Sequence, residues 1–239
     1  MQRENELRRY TTLPVLLDML VRKRLTLLAY DHWVDANDRK ALEVYQQTLH
    51  YGFVGAMCLT TAAETFHHWE IFAGGAAGVC VVFDRLEFRH IFEGRPHFLA
   101  GAVEYVKLNE IGQIDAEDIH RLPFLKRWGF RHEEEYRVVG YSVEQRPCLE
   151  ADMPPGLIKR VVISPFVHPA LVQSAKVALR SLDGWRQLTV RHSRLTNNQT
   201  WQKALSAFPA RHGTFYGPWI ETELDGQPEG ADENPPTGS

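Results

Sequence analysis

The chain is 239 residues long, 44% apolar and 24% charged, with 27 Lys and Arg against 30 Asp and Glu. That is enough hydrophobic material for a core and excludes a mini-protein or a coiled coil. A formal net charge of -3 makes no global electrostatic case for a nucleic-acid or membrane-surface protein.

No apolar run approaches the ~20 residues of a membrane span. Met1 to Glu6 lacks the apolar stretch of a signal peptide, so the expected location is cytoplasmic. In chain order, Leu13, Leu16, Leu17 and Leu20 recur at helical spacing, with Pro14 in the first turn, where its missing N–H costs little. Arg24 to Ala29 reads as a strand, Asp38 to Leu49 as a helix and Phe53 to Leu59 as a strand. Thr61-Ala62-Ala63-Glu64 has the form of a capping box, which predicts a helix carrying His67 to Phe72 and stopping at Gly74-Gly75. Further strands are expected at Val79 to Phe83, Val103 to Val106, Glu134 to Tyr141, Ile158 to Ile163 and Leu188 to His192, with a helix from Pro169 to Leu182. Helices and strands thus mix, predicting an α+β fold: one domain, residues 1–224, with a mixed or split sheet of short strands flanked by helices. Residues 225–239 hold Asp225, Glu229, Asp232 and Glu233 and no Lys or Arg, so the rest of the chain carries a formal +1. This Gly/Pro/acidic segment predicts a disordered tail.

Cys58, Cys80 and Cys148 are odd in number and far apart, which argues against a disulfide framework or thiolate zinc site and reads as small buried hydrophobes. Adjacent His67 and His68 point about 100° apart on a helix and cannot share one metal, so no metal is expected. The glycines Gly74, Gly75 and Gly78 follow a helix and precede a strand, the reverse of the dinucleotide-binding order.

The densest charge is Arg131-His132-Glu133-Glu134-Glu135-Tyr136-Arg137. In a strand Glu133, Glu135 and Arg137 share one face. Two like charges there raise one carboxyl's pKa unless a cation such as Arg137 or Arg131 offsets it, an arrangement that suits a catalytic carboxylate. A solvated strand edge laced with ion pairs would look the same. Arg8-Arg9 precede a helix N-terminus, where paired guanidiniums and free amides could hold a pyrophosphate; a basic surface is the alternative. Other basic groups gather at Arg121, Lys126, Arg127 and Arg131 and at Arg186, Arg191 and Arg194.

Taken in order, Arg9-Tyr10, Asn37-Asp38, Cys58-Leu59-Thr60, Trp69 to Ala73, Gly78-Val79-Cys80, Lys126 and Glu133 to Arg137 resemble the bacterial domain-of-unknown-function family 2971 over residues 7–195. Where that pattern has Trp-Ser-His-Tyr, this chain has Glu70, Ile71 and Phe72 after Trp69. The order of a basic residue in a first strand, a leading helix with Leu-x-x-Leu-Leu spacing, a central aromatic segment and a late glutamate on a strand also resembles the ADP-ribosyltransferase plan. That resemblance implies NAD as cofactor and Glu135, then Glu133, as the catalytic carboxylate. It implies Arg9, Tyr10, Trp69, Phe72 and Arg137 as the NAD-binding set. The function implied is NAD-dependent ADP-ribosyl transfer or NAD hydrolysis in a toxin or phage-defence system, with a protein or nucleic-acid acceptor and no membrane partner. The alternatives are a non-catalytic nucleotide-sensing or protein-interaction domain of the same fold, or a nucleic-acid-contacting protein.

Overall fold

A computed structural model describes residues 5–113 and 115–207. The acidic segment 225–239, expected to be disordered, lies outside the described residues. The chain divides at Asn197 into two units, and everything below concerns the first.

Strand β1 (Glu6–Thr12) runs directly into helix α1 (Leu13–Arg22), which has Pro14 in its first turn and ends on Lys23 in the left-handed region. Strand β2 (Arg24–Ala29) follows, then α2 (Ala36–Thr48), whose N-cap Asp35 accepts the Asn37 amide at 2.8 Å. Next come β3 (Phe53–Thr60), β4 (Gly78–Asp84) and α3 (Arg85–Phe92), the last capped by Asp84 on the amides of Leu86 and Glu87. Strands β5 (Phe98–Ala102), β6 (Glu104–Val106), β7 (Leu125–Arg127), β8 (Glu135–Ser142) and β9 (Cys148–Asp152) lead to β10 (Ile158–Ile163). Helix α4 (Pro169–Ser181) and strand β11 (Val190–His192) complete the unit.

Among the described residues nine strands form one mixed sheet, all pairs antiparallel except β10 with β11. Strand β3 is its fork. One edge pairs along its whole length with β8, from Phe53 opposite Ser142 to Thr60 opposite Glu135. The other edge is shared: β2 pairs at Gly55 and Ala56, and β1 at Thr60, opposite Arg8. Beyond β1 lie β4, β10 and β11; beyond β2 lies β9; and β5 borders β8. The expected α+β class with a mixed, split sheet holds.

The main core fills one face of the sheet. Leu7, Val81, Phe83, Met57, Val138 and Val161 meet Leu16 and Leu20 of α1, Phe88 and Phe92 of α3, and Val172 and Leu179 of α4. Each such side chain contributes about 1.5–3 kcal/mol on burial. The opposite face carries two smaller clusters, one around Tyr10, Trp69 and Cys80, the other around Leu42, Tyr45 and Val139 under α2.

Several expectations need correction. The segment after Thr60 does not open a helix at a capping box. The Thr61 hydroxyl instead donates to Glu134, and Glu64 accepts from Trp69 and Ser193, so both capping side chains serve tertiary contacts. Helical residues begin at Phe66, and His68–Phe72 form a π-helical turn. It ends at Gly74 and Gly75, both at positive φ, as the sequence predicted. The strand expected at Val103 to Val106 is the short β6, paired only with β7, while the unpredicted β5 just before it joins the main sheet. Strands β7 and β9 and helix α3 were also unpredicted, and β1 was implied only by the family resemblance, not by its own residue pattern. The three cysteines are free, but only Cys80 is fully buried.

Candidate functional site

Strand β1 distributes its side chains to the two faces of the sheet. Arg8 lies opposite Thr60 and Val82; Arg9 lies opposite Val81. Alternation therefore puts Arg8 and Tyr10 on one face and Arg9 on the other. Arg9 turns to the face of the main core, where its Nη1 donates to Met57 Sδ at 2.9 Å, and burial lowers its guanidinium to about 10. The neighbouring arginines, read together in the sequence, are thus separated by the sheet.

On the Arg8 face lies an open cavity of about 840 Å³ over β1, β4, β10 and β11. Arg8, Arg160, Lys176, Arg191 and Arg194 line it, against one carboxylate, Glu64. Arg8 and Arg160 are held by Glu6: Arg160 grips it with two bonds of 2.6 and 2.8 Å, and Arg8 adds a third at 2.8 Å. The Arg160 hydrogen bonds outweigh burial and keep the Glu6 carboxyl below its ordinary range. Arg8 also donates to the Ala62 carbonyl at 3.0 Å, which fixes the chain entering the Glu64 segment. Lys176, Arg191 and Arg194 have no ion pair among the described residues.

Aromatic rings floor the cavity. Tyr10 stacks on His68 with centroids 4.9 Å apart and meets Trp69 edge-on at 5.0 Å. Trp69 is fully buried, and its Nε1 donates to Glu64 Oε1 at 2.8 Å; the Ser193 hydroxyl donates to the same oxygen. On the cavity wall the buried His192 Nε2 has no hydrogen-bond partner among the described residues, and the buried Tyr10 hydroxyl has only the Cys80 thiol beside it. Burial lowers the His68 ring to about 4, so it is neutral near pH 7.

Glu133 and Glu135 lie elsewhere on that face, in a buried ionic network. Arg137 is fully buried and donates to both Glu135 oxygens at 2.8 and 3.0 Å, to Asp38 at 3.1 Å and to the Pro123 carbonyl at 2.7 Å. Lys126 reaches Glu133 at 2.5 Å, Glu135 at 3.1 Å and Asp38 at 3.5 Å. Burial opposes the charge on Glu135, but Arg137 overrides it and holds the carboxyl at about 2. For Glu133 burial wins over Lys126 and the carboxyl is raised. One carboxyl is raised and the other neutralised by Arg137, with Lys126 as a second cation, but the cause is burial more than the like charge expected. Glu133 comes from a 3-10 turn (Trp128–Glu133), and left-handed Glu134 separates it from β8, so the two do not alternate along one strand. The solvated-edge alternative fails, since β8 is an internal strand and these side chains are buried.

The predicted site residues therefore fall into four places. Tyr10 and Trp69 meet at the cavity; Glu133, Glu135 and Arg137 meet in the network; Arg9 is on the far face; and Phe72 is 37% exposed, edge-on to His67. Arg8 and Glu135 flank Thr60 on adjacent strands, two strand spacings or about 10 Å apart. Sequence reasoning missed Glu64, Arg160 and Lys176. A signal existed for Arg160, a cation that alternation places on the same face as Val162 while its neighbour Lys159 takes the other. For Glu64 there was none, because its capping-box context had its own explanation.

No family model matches the chain, and no curated protein matches it in sequence, so the resemblance to family 2971 finds no support there. Two solved structures of DarT from Thermus sp. 2.9 are similar to it in fold. The complex with NAD+ has a TM-score of 0.43 and 12% identity, covering 80% of this chain and 96% of that one. The complex with ADP-ribosylated ssDNA has a TM-score of 0.43 and 13% identity, covering 80% and 95%. At this identity and score no residue or activity is carried across.

Proposed function

We propose that the cavity binds NAD and that the chain is an NAD-dependent ADP-ribosyltransferase or NAD glycohydrolase. The observation that supports this reading is the cavity itself, where five cations surround an aromatic floor and His192 Nε2 on the wall has no hydrogen-bond partner among the described residues. A dinucleotide supplies what such a wall lacks: phosphates for the unpaired cations and hydroxyls for the unpartnered His192 nitrogen. Arg8 takes the role the sequence had assigned to Arg9, because Arg8 shares the cavity face with Tyr10. Breaking the nicotinamide–ribose bond sends the electron pair to nicotinamide and leaves positive charge on the sugar, which a carboxylate stabilises. Glu135, kept ionised and on the same sheet face, remains the proposed carboxylate, with Glu133 beside it.

A second reading, a non-catalytic nucleotide-binding unit, is favoured by one observation: both Glu135 oxygens are engaged by Arg137 and Lys126, and Glu135 is not on the cavity wall. Calorimetric titration with NAD, together with nicotinamide release by wild type and Glu135→Gln, separates the two. Release lost in the variant supports the enzyme; NAD binding with no release, alone and with cell extract, supports the binding unit. A folded chain that binds no NAD overturns both. The toxin role is read separately, as growth arrest on expression.

A further inference from the structure

Glu64 is an anomaly in the cavity. A carboxylate facing five cations weakens the cavity's hold on any bare anion, and yet Glu64 forms no salt bridge with a described residue. Its Oε1 is fixed instead by two neutral donors, Trp69 Nε1 and the Ser193 hydroxyl. Its Oε2 accepts no hydrogen bond from a described residue. Glu64 is exposed, so one oxygen is held and the other stands open on the wall as an acceptor, ready for a ligand that brings donors. His192 Nε2 on the same wall, with no hydrogen-bond partner among the described residues, equally calls for a ligand with hydroxyls as well as negative charge.

We infer that Glu64 is the specificity-determining acceptor of the cavity. Its free oxygen takes the hydroxyls of a ribose whose diphosphate lies against Lys176, Arg191 and Arg194, so the cavity selects a ribonucleoside diphosphate over a bare anion. This rests on the nucleotide reading above, with the ADP half of NAD as the part recognised. A carboxylate is the group that typically accepts ribose hydroxyls, because it offers only lone pairs.

The test is calorimetric titration of the full chain with ADP, 2′,3′-dideoxy-ADP and inorganic pyrophosphate. Wild type is expected to hold ADP at least tenfold more tightly than the dideoxy compound. Glu64→Gln keeps an acceptor for Trp69 and Ser193 and removes the charge; it should weaken ADP about tenfold while pyrophosphate binds equally or more tightly. If ADP and pyrophosphate both tighten in the variant, Glu64 is a counter-charge and the inference fails while the nucleotide reading stands. If both weaken in parallel, Glu64 only shapes the wall, and the inference fails likewise. A variant that does not fold leaves the wild-type comparison decisive, and equal affinity for ADP and its dideoxy form overturns the inference. A folded wild type that binds pyrophosphate alone, or none of the three, overturns the inference and the nucleotide reading together.

Discussion

Arg137 is the fully buried cation of the ionic network. It neutralises Glu135 and Asp38 where water cannot, so removing it strands carboxylates in the interior. Arg137→Met should therefore lower unfolding free energy by about 3–5 kcal/mol, measured by denaturant titration. Arg146, paired with Glu144 at the surface with its side chain 48% exposed, is the control; Arg146→Ala should stay within about 0.5 kcal/mol. His68 gives a pH signature. Its folded pKa of about 4 lies below the ordinary 6.5, so the folded chain takes up this proton less readily than the unfolded one. Its contribution to stability is complete above pH 6.5 and drains as the pH falls toward 4. His68→Phe, which keeps a ring against Tyr10, should flatten that part of the stability–pH curve relative to wild type.

Elements were legible where a single period dominated. Helices α1 and α4 and strands β2 and β10 carry one clean apolar pattern, and the expected bounds match to within a residue or two. Strand β1 was hidden because both its faces carry charge: Glu6 and Arg8 on one, Arg9 on the other. Helix α3 was short, and its cap was masked by the strand that ends in the same Asp84. The Thr61 segment misled for the opposite reason, since a local signal was overridden by partners more than 70 residues away in Glu134 and over 120 away in Ser193. The site was legible as residue types but not as a place, because which arginine faces the cavity depends on the pairing of strands distant in sequence. The π-helical turn depends on close packing at its exit. A Cβ on Gly78 would lie 2.6 Å from the Ala73 Cβ and 2.7 Å from its carbonyl oxygen. Gly78→Ala should cost about 1–3 kcal/mol in thermal unfolding. Gly112→Ala, with nothing within 4 Å of the new atom, should be near neutral.

Across the whole molecule, charge is distributed in a way the net figure of -3 conceals. The cavity gathers unpaired cations, whereas the network under α2 is internally neutralised. Binding of NAD should therefore weaken as ionic strength rises from about 0.05 to about 0.5 M, because exposed charge is screened within a few ångströms at high salt. Arg191→Ala and Arg194→Ala should each weaken NAD several-fold and flatten that salt dependence in calorimetric titration. A salt-independent affinity would assign binding to the aromatic floor instead. The position of β1, paired to β4 along its length and continuous with α1, carries one more consequence. Deleting a single codon within residues 9–12 cannot be absorbed by a loop, since none separates strand from helix. It would invert the strand N-terminal to the deletion, sending Leu7 toward the cavity and Arg8 toward the core. This stretch should tolerate exchange of one side chain for another far better than any change in its length.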